Sequence, residues 1–167
     1  MQIGSVLENQ NIEKRVAITP EIVKKYISLG FEVCLCENYG SHLGIKDDQY
    51  KGMGANILKD EKEVLNSSDI IVQLGILSDD KTSNIKENQT LIGVLNPYNN
   101  KEKLESLAKK KINLFSLELL PRITRAQSMD ILSSQANLAG YKAVIESFAN
   151  FKKAIPMMMT AAGTIPA

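Results

Sequence analysis

Short apolar runs alternate with amphipathic stretches along the chain, and this alternation alone predicts most of its elements. Met1 to Leu7 is a short apolar strand. Thr19-Pro20-Glu21 opens a helix with a hydroxyl cap, proline at the first helical position and an acidic first turn. Ile22, Val23, Tyr26, Ile27 and Leu29 fall broadly on one side of that helix, with Lys24 and Lys25 opposite, and Gly30 predicts a left-handed C-cap. Phe31 to Cys36 is the next strand. Asp47 to Met53 predicts a short helix closed by Gly54, Ala55 to Leu58 a short strand, and Lys59 to Leu65 another short helix. Asp69 to Leu74 is nearly continuous in apolar residues, the pattern of a parallel strand buried on both faces. Ser78 to Glu87 reads as a polar loop and Thr90 to Leu95 as a strand. Asn99 or Asn100 caps a helix reaching about Lys110, with Leu104, Leu107 and Ala108 inward, and Ile112 to Leu117 is the last strand.

Strands alternating with helices predict an α/β fold: an open, mostly parallel sheet with helices on both faces, Rossmann-like. A long connecting helix follows, from about Ser133 to Lys152. Ala136, Ala139, Gly140 and Ala143 give it a small-residue face, and Leu138, Tyr141, Val144, Ile145 and Phe148 its apolar bulk. The predicted organisation is an α/β domain over 1–132, the connecting helix over 133–153 and a linker over 154–167.

Composition narrows the partners. The 167 residues suffice for one domain of ordinary size, and 44% hydrophobic with 23% charged is a soluble globular profile. A net charge of +1 supplies no field for nucleic acid or an anionic membrane. No apolar run approaches the roughly 20 residues that insert into a bilayer, and the N-terminus lacks a secretory layout. Cys34 and Cys36 share one face of a strand and read as small packing residues; with a single histidine in the chain they support no zinc site. Free thiols fit a reducing cytosol. His42, in a glycine-rich loop, reads as a solvated histidine rather than a catalytic base, and Met157-Met158-Met159 as packing rather than a metal ligand set.

Candidate chemistry concentrates in Pro121 to Ser134, between the hydrophobic runs Ile112–Leu120 and Ala136–Phe151. A polar loop at the end of a strand is where α/β proteins place ligand contacts. Arg122 can clamp a carboxylate or phosphate, Gln127 offers donors and an acceptor suited to an amide-bearing ring, and Asp130 can accept a carboxamide N–H or cap a helix. A solvated loop with a capped helix start accounts for the same residues.

The run Arg122-Ile123-Thr124-Arg125-Ala126-Gln127-Ser128-Met129-Asp130-Ile131-Leu132-Ser133-Ser134, continuing to Val144, resembles the nucleotide-contacting loop of the α subunit of proton-translocating NAD(P) transhydrogenase. The opening, with Glu13-Lys14-Arg15-Val16-Ala17-Ile18-Thr19-Pro20, resembles the alanine dehydrogenase/transhydrogenase superfamily. The resemblance implies that Arg122, Gln127, Asp130 and Ser133 hold the nicotinamide end of NAD, that Ser128 and Met129 add backbone contacts, and that no residue of this chain is catalytic. It implies NADP on a partner domain, membrane-embedded and NADP-binding partner components, a homodimer of the full component, and a cytoplasmic location peripheral to the inner membrane. Arg15 would hold a substrate carboxylate in the dehydrogenase branch; a structural ion pair is the other reading.

Two absences refine this expectation. The lysine and histidine that the dehydrogenase branch uses fall where this chain has Gln73-Leu74-Gly75-Ile76 and Leu95-Asn96-Pro97. No GxGxxG dinucleotide fingerprint occurs, and in the resembled family it follows the Thr160–Ala167 kind of segment. The expectation is a fragment or split gene product, inactive alone, whose final segment is a poorly ordered linker into an absent NAD-binding domain. An alanine dehydrogenase-like fragment and a non-catalytic interaction module are the alternatives.

Overall fold

The structure is a computed structural model that describes residues 1–166. The chain divides into two compact units, Met1–Leu120 and the segment from Pro121 onward.

In the first unit the elements are, in chain order, β1 (Gln2–Ser5), α1 (Pro20–Ser28), β2 (Glu32–Cys36), α2 (Asp47–Gly52), β3 (Asn56–Leu58), α3 (Glu61–Ser67), β4 (Ile70–Val72), α4 (Asp79–Thr82), β5 (Thr90–Gly93), α5 (Lys101–Lys109) and β6 (Asn113–Ser116). The strands form one sheet in the order β3-β2-β1-β4-β5-β6, and every neighbouring pair is parallel. This is the expected α/β architecture. The chain winds outward from β1 through β2 to β3, then returns to lay β4 on the other side of β1. The order therefore reverses between β1 and β4, and their carboxyl ends diverge into a crevice.

Central strands covered by helices on both faces must be apolar at consecutive positions. Val33, Cys34, Leu35 and Cys36 of β2 are all buried, as are Ile71 and Leu91 at the centres of β4 and β5. α1 buries Val23 against this sheet, and Gly30 at φ +85° lets the chain turn straight into β2. Gly93 is required by a close approach: a Cβ there would lie 2.5 Å from the Gln73 carbonyl oxygen.

One buried polar network ties the sheet to its loops. The Tyr39 hydroxyl accepts from the N–H groups of Ala17 (3.1 Å) and Ile18 (3.2 Å) and lies 2.7 Å from Ser5 Oγ. Ser5 Oγ donates to Gln73 Oε1 at 2.8 Å, so its single proton is committed and the Tyr39 hydroxyl donates to Ser5. Gln73 completes the set by accepting from Val6 N (2.9 Å) and donating to Val6 O (3.2 Å).

The second unit holds a 3-10 turn at Thr124–Met129, the 20-residue helix α6 (Ile131–Asn150), and β7 (Met158–Thr160) paired antiparallel with β8 (Gly163–Ile165). None of α6 is buried, and both small strands are exposed throughout.

Several local expectations are corrected. Ser78–Glu87 is not all loop, because Asp79–Thr82 forms a single helical turn behind Ser78. Leu29 is the C-cap of α1 and is 71% exposed, and Ala108 of α5 is exposed while Leu107 is buried. Thr19 gives no side-chain cap to α1. Within the segment read as a linker, Met158–Thr160 and Gly163–Ile165 pair as a hairpin; Ala167 of that segment lies outside the described residues.

Candidate functional site

In the second unit, a short run of backbone hydrogen bonds folds the Pro121–Asp130 segment back on itself. Ile123 N–H donates to Pro121 O (3.0 Å), Ala126 N–H to Ile123 O (2.9 Å) and Asp130 N–H to Gln127 O (3.3 Å). The tight turn brings residues from its entry and its exit around one shallow hollow of about 380 Å³, lined by Arg122, Ile123, Thr124, Gln127, Asp130 and Ser133.

Asp130 ends the turn and caps α6. Its carboxylate accepts from Ser133 N–H (2.9 Å) and from Ser133 Oγ (2.7 Å). These two bonds, with a smaller contribution from the positive charge of Arg122, hold the Asp130 carboxyl below the usual aspartate range. The hollow thus offers a guanidinium, an ionised carboxylate, a primary amide and two hydroxyls. Such a set can pair with both the donor and the acceptor of a ligand carboxamide.

Four of the six residues singled out from the sequence, Arg122, Gln127, Asp130 and Ser133, line this hollow. Ser128 and Met129 belong to the same turn but not to the lining, and Met129 is 51% exposed. Ile123 and Thr124 were not singled out. Their one signal in the sequence is a position between two arginines at the entry of the turn.

The other candidates in the first unit make contacts within the fold. Arg15 pairs bidentately with Glu13, Nε to Oε1 at 2.8 Å and Nη2 to Oε2 at 2.6 Å. His42 places Nε2 2.9 Å from Lys14 O and Nδ1 3.3 Å from Gln10 Nε2, which assigns the proton to Nε2 and staples two loops together. Cys34 and Cys36 are free and buried, and burial pushes the Cys36 thiol up to about 11. Among the described residues no cluster of His, Cys, Asp or Glu could hold a metal ion, and no helix is long and apolar enough to cross a membrane. Neither the stretch Gln73-Leu74-Gly75-Ile76 beyond β4 nor Leu95-Asn96-Pro97 beyond β5 contains a lysine or histidine.

The model of the alanine dehydrogenase/PNT N-terminal domain matches residues 4–139. The chain belongs to this family. Within the alanine dehydrogenase/PNT family, an NAD(P) transhydrogenase subunit alpha protein of Rhodospirillum rubrum is 45% identical over a 171-residue alignment that covers 99% of this chain and 44% of that protein. The protein of the same description in Rickettsia prowazekii is 42% identical, with 100% of this chain and 45% of that protein covered. The crystal structure of transhydrogenase from Sinorhizobium meliloti superposes with a TM-score of 0.91 at 41% identity, covering all of this chain and 50% of that one. The chain therefore spans less than half the length of these two curated relatives.

Proposed function

We propose that this chain is part of the NAD(H)-binding component of proton-translocating NAD(P) transhydrogenase, and that its Arg122–Ser133 turn positions the nicotinamide of NAD(H) for hydride transfer to NADP+. The observation that carries this reading is the convergence of Arg122, Gln127, Asp130 and Ser133 on one hollow. The donor set fits a nicotinamide. Gln127 and Arg122 can donate to the carboxamide oxygen, and Gln127 and Asp130 can accept from its NH2 group. Nothing in residues 1–167 matches the glycine-rich turn that cradles a pyrophosphate, so this chain would serve one end of the dinucleotide.

The nicotinamides supply the hydride chemistry when bound; the residues here bind and orient. Direct transfer between two nicotinamides calls for no side-chain acid or base, in keeping with the absence of a lysine or histidine from Gln73-Leu74-Gly75-Ile76 and Leu95-Asn96-Pro97. The same two stretches weigh against an amino-acid dehydrogenase of the resembled kind, which uses a lysine and a histidine there for proton transfer. The partners in this reading are a membrane-embedded component and an NADP-binding component, with the chain held at the cytoplasmic face of the inner membrane through them. The test is Arg122→Ala and Gln127→Ala in the complete enzyme: hydride transfer slows while the fold is retained, and wild-type turnover in both variants removes the reading.

A further inference from the structure

The side chains around the hollow of the second unit differ in how many of their polar atoms are already committed. Ser133 has one hydroxyl proton, and it goes to Asp130 Oδ2 at 2.7 Å. Asp130 Oδ1 takes the Ser133 N–H at 2.9 Å. An ionised carboxylate has no proton to give, so this pair presents acceptors only: the remaining lone pairs of Asp130 and those of Ser133 Oγ. These acceptors stand at the exit of the turn, where α6 begins.

Donors come from the entry of the turn, where Arg122 and Thr124 line the same hollow. Thr124 opens the 3-10 run and is exposed. Short hydroxyl side chains in turns ordinarily bond a nearby backbone carbonyl. In this chain Ser28, Ser41, Thr82, Ser83 and Ser134 each bond the carbonyl three residues back. Thr124 does not: the Pro121 carbonyl, three residues back, accepts the Ile123 N–H at 3.0 Å instead. Among the described residues the Thr124 hydroxyl has no hydrogen-bond partner, so it is the one hydroxyl of the hollow with a proton free for a ligand.

A carboxamide needs both kinds of group, because its oxygen has two lone pairs and its NH2 two protons. We propose that Thr124 is a further ligand-contact residue, whose hydroxyl donates to the carboxamide oxygen beside Arg122 while the Asp130–Ser133 pair and Gln127 accept from the NH2 group. This rests on the reading of the hollow as a nicotinamide site. The division fixes orientation: the oxygen faces the entry of the turn and the NH2 its exit. A flipped carboxamide sets its oxygen against the Asp130 carboxylate and its NH2 against the Arg122 guanidinium, and both contacts are repulsive. Thr124 therefore helps to decide which way the amide of the ring lies.

The experiment measures kcat/KM in the complete enzyme with NADH and with its reduced 3-acetylpyridine analogue, which keeps the carbonyl oxygen but has a methyl in place of the NH2. Thr124→Val keeps the branched shape without the hydroxyl and should lower kcat/KM by about 3–10-fold with both donors, the loss expected for one uncharged hydrogen bond. Thr124→Ser should stay near wild type with both. Ser133→Ala should lose more with NADH than with the analogue, because only NADH has an NH2 to present to the pair. Arg122→Ala reports on the site itself. If Arg122→Ala slows transfer and Thr124→Val does not, the hollow stands as the nicotinamide site and the Thr124 contact is overturned. If both run at the wild-type rate, the site reading fails and the Thr124 contact with it. A Thr124→Val loss confined to NADH overturns the bond to oxygen, and equal losses in Thr124→Val and Thr124→Ser reduce Thr124 to a part of the turn. Equal Ser133→Ala losses with both donors overturn the division between entry and exit. A Tm within about 2 °C of wild type shows that each variant keeps its fold, and Thr124→Ala replaces Thr124→Val if the latter does not.

Discussion

Tyr39→Phe removes one oxygen atom and nothing else, and the structure assigns that atom three hydrogen bonds. The ring stays, 1% exposed, and keeps its edge-to-face contact with Tyr50 at 5.8 Å between centroids. What is lost is the acceptor for Ala17 and Ile18 N–H and the donor to Ser5 Oγ. Ile18 is fully buried, so its N–H has no water to turn to; a buried donor left unsatisfied costs about 1–3 kcal/mol. Ala17 is half-buried and loses less, and Ser5 keeps its bond to Gln73. The sum is about 2–4 kcal/mol, which for a chain of this size lowers Tm by on the order of 10 °C. Urea unfolding followed by circular dichroism gives the free-energy difference, with an unchanged m-value showing that the denatured state is unaltered. Tyr98→Phe is the control, since Tyr98 is 86% exposed and should change stability by less than about 0.5 kcal/mol. A Tyr39→Phe variant as stable as the Tyr98→Phe control would refute the assignment of the hydroxyl as the buried link between β1 and the 17–18 segment.

Other outcomes follow from the same geometry. Cys34 and Cys36 are buried on β2, and the Cys36 thiol sits up at about 11, so an aromatic disulfide reagent at pH 8 should label neither until denaturant is added; rapid labelling of the native chain would contradict the burial. The Asp130 carboxyl is lowered in the fold, so its contribution to capping α6 is present above the ordinary aspartate pKa and is lost as pH falls through the lowered one. A carbon-detected titration should place its midpoint below the ordinary value, and Ser133→Ala, which keeps the N–H bond but removes the hydroxyl, should move it some of the way back.

The parallel sheet was legible because its signals are local. Thr19-Pro20, Gly30 and the run Phe31–Cys36 sit within one βαβ unit, and each acts over a few residues. The single turn at Asp79–Thr82 is too short to display a helical period. β7 and β8 have three residues each and draw on a methionine run with little alternation, so pairing rather than pattern defines them. The Ser5–Tyr39–Gln73 network joins positions 34 and 68 residues apart, and no spacing along the chain reports such a meeting. Glu8 is a second case: the Leu74 N–H it accepts from lies 66 residues further along the chain. The hollow is the opposite case. Arg122, Gln127, Asp130 and Ser133 lie within one turn and the start of one helix, so residue types and proximity were enough to group them, while Thr124 and Ile123 joined the lining only through the fold of the turn.

The most direct test of the central claim is the rate of hydride transfer between NADH and NADP+ in the complete enzyme carrying Gln127→Ala or Arg122→Ala, measured alongside Tm. Both residues lie on a surface turn, so Tm should stay within about 2 °C. Misplacing the nicotinamide should slow transfer by ~10–100-fold. Wild-type rates in both variants would contradict the account and return the Arg122–Ser133 turn to a purely structural role.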